Sequence, residues 1–270
     1  RFKILPIQGF LMNGKEKIAK IREMKGRKKI AMLTSYDFVT AILLSEAEID
    51  ILLVGDSVGN VLLGYENTLP VTMEEMLHHV RAVERAKPIG LLVADMPNKS
   101  YTDKKTALEN AKKFLDAGAE AVKVEGPVIE VVKHIVQNHV PVMGHVGLTP
   151  QTITNWKVQG KDEKSAQKIL DDAIALQKAG CFSIVIETVP AGLGKKITKS
   201  LSIPTIGIGA GVDCDGQVLV INDLLGFNAR EFAPRFVKKY ADLRTLSKNA
   251  VKKFKEEVKE GSFPSKEHSY

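Results

Sequence analysis

Short unbroken apolar runs alternate along this chain with longer stretches in which apolar residues recur every three or four positions. A run of four or five Val, Ile and Leu residues is the pattern of a strand buried on both faces, and the 3.6-residue period is that of an amphipathic helix. The runs fall at 30–33, 51–54, 91–94, 121–124, 140–144, 183–186, 203–208 and 216–221. Helical periods occupy 38–44, 72–86, 103–117, 128–136 and 162–178, and helices from 233 to 261 complete the chain. Ser35-Tyr36-Asp37 offers a capping residue, Tyr101-Thr102-Asp103 opens a helix, Thr72 to Glu75 matches a capping box, and Ala117-Gly118 and Ala179-Gly180 close helices, Gly118 being able to adopt the left-handed cap. About eight strands in this rhythm predict an α/β fold, a closed (β/α)8 TIM barrel. The expected organisation is an N-terminal segment at 1–28 and a single barrel domain at 29–270 that includes the C-terminal helices. A doubly wound open sheet is the alternative, but no Gly-rich dinucleotide fingerprint follows the first strand.

With 270 residues the chain matches the usual size of one such barrel. No apolar stretch approaches the length of a membrane span. Two cysteines, Cys181 and Cys214, argue against a disulfide scaffold and fit a reducing compartment, with one bridge left open. The chain opens on Arg1 and reaches its first Met only at Met12, so the leading residues are expected to be non-native or the chain trimmed; no export signal is read there. A net charge of +7 and a pI near 9.2 raise nucleic acid as a partner. The basic residues concentrate at 15–29 and 248–259, where the second stretch alternates with Glu256, Glu257 and Glu260 as on a solvated helix. No nucleic-acid motif accompanies them, so the charge is read as an attractor for small anions.

Four acids close four of the apolar runs: Asp56, Asp95, Glu125 and Glu187. Parallel strands bring their carboxyl ends together, and converging carboxylates need a cation or a proton to coexist. Asp56, Asp95 and Glu125 come from successive strands, and three oxygen ligands suit a hard cation, Mg²⁺ above others. Helix capping or surface pairing is the competing reading for each acid alone. Lys123 lies two residues before Glu125 and so points to the same side, where it needs an anion, either a neighbouring acid or a substrate carboxylate. Glu187, further round the ring, is placed to take a proton from carbon, or to form a structural salt bridge. His145 also closes a run, as an accessory acid/base, an oxyanion donor or a core histidine. His78 and His79 are read as structural. Gly207, Gly209 and Gly211 follow the seventh run, where many barrels hold phosphate, although glycines there also serve a tight turn.

The ordered blocks Thr34-Ser35-Tyr36-Asp37, Val54-Gly55-Asp56-Ser57-Val58-Gly59, Ala94-Asp95-Met96-Pro97, Val122-Lys123-Val124-Glu125-Gly126, Gly144 to Gln151, Lys157-Val158-Gln159-Gly160 and Ile206 to Gly211 resemble the ketopantoate hydroxymethyltransferase family, the 3-methyl-2-oxobutanoate hydroxymethyltransferases of pantothenate synthesis. Thr68 to Thr72 and the tail Glu267-His268-Ser269 fit as well. The resemblance implies a barrel of the phosphoenolpyruvate/pyruvate type, one Mg²⁺ per subunit, 5,10-methylenetetrahydrofolate as co-substrate, a cytoplasmic location and a homodecamer. It also implies residue roles: Asp56, Asp95 and Glu125 for the metal; Asp56, Ser57, Asp95 and Lys123 for the keto acid; Glu187 as proton acceptor. The residues depart from the family pattern at 152–156, which is shorter than usual, at Asn98 in place of Phe, and at Glu48 in place of a helix-ending Gly. Two other activities are kept beside this one: a Mg²⁺-dependent carbon-carbon lyase on the same barrel, and nucleic-acid binding.

Overall fold

A computed structural model of the chain describes residues 12–152, 157–229 and 234–270. The chain divides into two compact units, one running to Leu219 and the other from Val220 to Tyr270. The first begins with helix α1 (Gly14–Glu23), then β1 (Ile30–Thr34), α2 (Phe38–Glu46), β2 (Ile51–Val54), α3 (Val58–Val61), α4 (Met73–Glu84), β3 (Leu91–Asp95) and α5 (Lys104–Asp116). It continues through β4 (Ala121–Lys123), α6 (Ile129–Gln137), β5 (Val142–Gly147), α7 (Glu163–Lys178), β6 (Ser183–Glu187), α8 (Ala191–Ser200), β7 (Thr205–Ile208) and β8 (Gly216–Leu219). All strands pair in parallel in chain order, and β8 closes on β1 through Ile30–Gly216 and Met32–Val218, which makes a complete barrel.

The predicted caps form. Asp37 accepts from the Thr40 amide at 2.8 Å, Asp103 accepts from the amides of Lys105 and Thr106, and Thr72 and Glu75 satisfy each other's backbone reciprocally. Gly118 (φ 102°) and Gly180 (φ 106°) turn the chain from helix to strand in the left-handed region, where a Cβ is costly. Glu48 (φ 53°) adopts that same conformation without being glycine.

Three strands differ from the sequence reading by two or more residues at an end. β5 starts after Pro141, whose nitrogen has no hydrogen for the ladder, and runs on to Gly147. His145 therefore lies inside the strand and does not close it. β7 likewise starts after Pro204, and β8 ends at Leu219. The pattern also gave no warning of α1, α3 or α8. In α1 the apolar side is narrow, only Lys17 and Ile21 being buried, and α8 carries two glycines.

Alternate residues of each strand point inward, so the barrel interior fills in layers. Met32, Leu53, Val93, Ala121, Met143, Val185, Ile206 and Val218 form the central packing, and Ile21 of α1 and Met24 just after it join from the end where the strands begin. Lys17 fixes α1 there: its ammonium reaches the carbonyls of Pro88 and Gly90 and the Glu120 carboxylate, each at 3.0 Å. One end of the barrel is thereby filled with apolar side chains. Chemistry is left to the other end.

The second unit contains α9 (Ile221–Leu224) and α10 (Leu243–Glu260). Helices were expected across 233–261, yet residues 234–242 are not helical, and Ala233 lies outside the described residues. α10 starts under an Asp242 cap, stops at Gly261 (φ 75°), and buries none of its residues. Its lysines and glutamates interleave as anticipated, with Lys253 and Glu257 at 3.7 Å. Among the described residues no helix is long and apolar enough to cross a membrane.

Candidate active site

The inward positions just above the central packing are polar. Two residues beyond Val93 comes Asp95, beyond Ala121 comes Lys123, beyond Met143 comes His145, and beyond Val185 comes Glu187. The period of two therefore aims all four into the mouth of the barrel. Asp95 and Lys123 are direct partners in the β3–β4 register. Asp56 and Glu125 lie two residues past the ends of β2 and β4.

The anion that Lys123 needs is a neighbouring acid. Its ammonium sits 2.8 Å from both oxygens of Asp95 and 3.4 Å from Glu125 Oε1. His145 lies between two carboxylates, with Nδ1 3.3 Å from Glu125 Oε1 and Nε2 3.3 Å from Glu187 Oε2. Neither contact meets hydrogen-bond geometry, so the pairing is electrostatic. The Glu187 side chain is 14 % exposed, against 2 % for Glu125 and 3 % for Asp95, and is the acid a ligand can reach most easily.

Burial sets the charge states. Desolvation, reinforced by the negative charges of Asp95 and Glu125, pushes the Asp56 carboxyl well above its usual range. Asp95 is also raised by burial, with Lys123 opposing. For Glu125, burial is outweighed by Lys123 and His145, which hold it at about 2. Burial works against the Lys123 charge too, but Asp95, Glu125 and Asp56 overcome it and hold the ammonium above its ordinary value. The same contest at His145 is decided by Glu125, which lifts the imidazole to about 9. Lys123 and His145 are thus cationic at neutral pH, while Asp56 and Asp95 retain an affinity for positive charge.

Asp56, Asp95 and Glu125 are all buried and offer ligand oxygens within 4.8 Å of one another. Oxygens around an ion at about 2.1 Å stand roughly 3–4 Å apart, so small side-chain adjustments suffice to surround a small hard cation. An all-carboxylate donor set of this kind fits Mg²⁺. It does not fit a soft metal.

Two residues with no role in the sequence reading complete the cluster. Gln151, in the turn after β5, donates its amide to Asp56 Oδ2 at 2.8 Å and its backbone N–H to Glu125 Oε2 at 3.1 Å, and Tyr101 donates its hydroxyl to the Gln151 amide oxygen. The available signal was a glutamine four residues past a strand end, in the short run 147–151. Ser57, the residue after Asp56, is held by Tyr36, whose hydroxyl is 2.8 Å from Ser57 Oγ. His79 Nδ1 meets the Tyr36 carbonyl at 2.7 Å, in keeping with its structural reading.

The backbone around Glu187 is tied on both sides. Its carbonyl accepts from Leu148, the Thr188 N–H donates to Ile208 and the Thr188 carbonyl accepts from Gln159, at 2.8–2.9 Å. Thr188 has φ 49°, an uncommon conformation for a β-branched residue. The glycine-rich turn after β7 packs closely against α8: a Cβ on Gly194 would stand 2.2 Å from the Ala210 carbonyl oxygen, and one on Gly211 would stand 2.6 Å from Ala191. Close packing accounts for Gly211 and Gly194. Cys181 and Cys214 are buried and free, and burial pushes the Cys181 thiol up to about 12.

A closed parallel barrel with a metal-type acidic cluster at its strand ends defines an α/β-barrel enzyme. Comparable folds are 2,3-dimethylmalate lyase, a PEP mutase/isocitrate lyase superfamily member (TM-score 0.63, 13% identity, 96% of this chain and 92% of that one), and phosphoenolpyruvate phosphomutase from Streptomyces platensis subsp. rosaceus (TM-score 0.60, 14% identity, 90% and 88%). These likenesses show a shared barrel fold. The ketopantoate hydroxymethyltransferase family model matches residues 15–266. Proteins named 3-methyl-2-oxobutanoate hydroxymethyltransferase from Carboxydothermus hydrogenoformans and Thermotoga maritima are 54% and 53% identical, each over 94% of this chain and over 94% and 96% of their own length. The chain belongs to the ketopantoate hydroxymethyltransferase family.

Proposed function

We propose that the chain transfers a hydroxymethyl group from 5,10-methylenetetrahydrofolate to 3-methyl-2-oxobutanoate, giving ketopantoate for pantothenate and coenzyme A synthesis. The observation that carries this reading is the convergence of Asp56, Asp95 and Glu125 around Lys123, with Glu187 across His145, in a chain of this family. Asp56, Asp95 and Glu125 would hold one Mg²⁺ per subunit. When bound, the ion supplies Lewis-acid polarisation of the keto acid's oxygens, which acidifies the hydrogen on the neighbouring carbon.

The chain's own groups do the rest. Lys123, with Asp56, Ser57 and Asp95, positions the keto acid, and its ammonium, fixed before the reaction, stabilises the negative charge that develops on oxygen. Glu187 removes the proton from carbon. The His145 imidazole, with Nε2 3.3 Å from Glu187 Oε2, serves as accessory donor. The enolate carbon bonds to the methylene carbon of the folate as one of its two C–N bonds breaks; water then replaces the other, giving the hydroxymethyl group, and the two nitrogens of the departing tetrahydrofolate take up the proton removed from carbon and one from water.

The test is exchange of the carbon-bound hydrogen with deuterium in the absence of folate. Glu187→Gln should slow exchange by about 10²–10⁴-fold while keto acid binding survives. Exchange at the wild-type rate would remove Glu187 from this role.

We also propose a homo-oligomer, a homodecamer by resemblance, in the cytoplasm. Support for association is the row Leu246, Val251, Phe254 and Val258 on α10, each at least 47 % exposed. The carbon-carbon lyase and nucleic-acid readings are not favoured by the family membership. Lys17, one of the basic residues that suggested nucleic acid, is consumed by a buried ion pair.

A further inference from the structure

Gln151 is 5 % exposed, and its side-chain amide is satisfied at both ends. The nitrogen donates to Asp56 Oδ2 at 2.8 Å and to the Met96 carbonyl at 3.0 Å, and the oxygen accepts from Tyr101. Turning the amide over would set its oxygen against two acceptors, so the chemistry of the neighbours fixes its orientation. With its backbone N–H on Glu125 Oε2, this one residue occupies one oxygen of Asp56 and one of Glu125. The other oxygen of each, Oδ1 and Oε1, is left to serve as a single ligand. Glu125 Oε1 has only the longer contacts to Lys123 (3.4 Å) and His145 (3.3 Å) to exchange.

One-oxygen presentation discriminates between cations. Mg²⁺ demands six oxygens in a near-ideal octahedron, whereas Ca²⁺ takes six to eight at longer range and makes use of carboxylates that bind through both oxygens. We propose that Gln151, braced by Tyr101, is the positioning residue that keeps Asp56 and Glu125 in one-oxygen presentation and thereby sets the preference of the cluster for Mg²⁺ over Ca²⁺. This rests on the reading of the three carboxylates as a cation site. The general rule that groups holding a ligand in place tune its metal points the same way.

The experiment uses the full chain with Mn²⁺ as probe, free Mn²⁺ being followed by electron paramagnetic resonance while Mg²⁺ or Ca²⁺ competes. In Gln151→Met, which keeps the volume and loses the side chain's hydrogen bonds, Mn²⁺ affinity should fall about 10–100-fold. The ratio of Mg²⁺ to Ca²⁺ affinity should fall about fivefold or more, because freed carboxylates can swing to two-oxygen binding. Tyr101→Phe removes only the brace and should move the ratio in the same direction, by about twofold. A purely structural Gln151 would weaken both cations alike, so an unchanged ratio in folded Gln151→Met overturns the proposal. If that variant does not fold, an unchanged ratio in Tyr101→Phe overturns it. A wild-type chain that binds no Mn²⁺ defeats the cation reading itself. Wild-type binding that Asp95→Asn abolishes, with a ratio that Gln151→Met leaves unmoved, defeats the Gln151 assignment alone.

Discussion

Lys123→Met tests the electrostatic balance at the centre of the site. The ammonium lies 2.8 Å from both Asp95 oxygens and 3.4 Å from Glu125, and all three side chains are at most 5 % exposed. Removing one partner of a buried pair leaves an uncompensated charge, at a cost of roughly 3–5 kcal/mol. The alternative for the protein is to bind a proton. At pH 7 this costs an ordinary carboxyl about 4 kcal/mol, and less here because burial already raises Asp56 and Asp95. A loss of about 3 kcal/mol is therefore expected in EDTA, or roughly 6–12 °C in Tm at about 2–4 °C per kcal/mol. The pH dependence has a definite sign. A carboxyl whose folded pKa is raised contributes stability at low pH and forfeits it as pH rises through that pKa, so the deficit of the variant should widen as pH rises above the ordinary carboxyl value of about 4. Thermal melts by circular dichroism across that range, with and without Mg²⁺, measure it, and the cation should restore part of the loss. A deficit below about 1 kcal/mol near neutrality, or one that narrows with rising pH, would refute the account.

Away from the site, Lys17→Met should destabilise the chain by about 3 kcal/mol in urea, because it strands Glu120 and two carbonyls at the closed end of the barrel. Deuterium exchange into the keto acid should be unchanged below the unfolding transition; a loss under about 1 kcal/mol would contradict the buried-pair reading. At Asp215, burial is outweighed by Lys25 and Thr205, so its carboxyl lies below the usual value. Its contribution is thus present above about pH 4 and lost as pH falls through the depressed folded value. Asp215→Asn should cost about 1–3 kcal/mol at pH 7. The gap should close in acid melts, and a gap that persists at the lowest pH would count against this assignment.

The barrel was legible because strands buried on both faces read as uninterrupted apolar runs, and the acids that end them are visible as breaks in those runs. Asp56, Asp95, Glu125 and Glu187 were found in this way, and the shared side of Lys123 and Glu125 followed from their spacing. Gln151 and Tyr101 were not, because the partners of Gln151 at Asp56 and Tyr101 are 95 and 50 residues away in sequence. A hydrogen bond across such a separation leaves no periodic trace. His145 was recognised as a candidate but placed at the end of its strand. The shift of β5 beyond Pro141 puts it in the second inward layer, where it faces two carboxylates at once. Whether the glycines after β7 serve a ligand or a tight turn was undecidable from composition; the approach of α8 accounts for Gly211.

The left-handed turn at Thr188 costs about 1–3 kcal/mol that the surrounding ladder must offset. What the chain obtains is a carboxylate mounted on an immovable post: with Leu148, Ile208 and Gln159 gripping the peptides on either side, Glu187 has only its side-chain torsions with which to reach. If Glu187 is the proposed proton acceptor, its reach towards a substrate is confined to those torsions, and the remaining adjustment falls to the substrate.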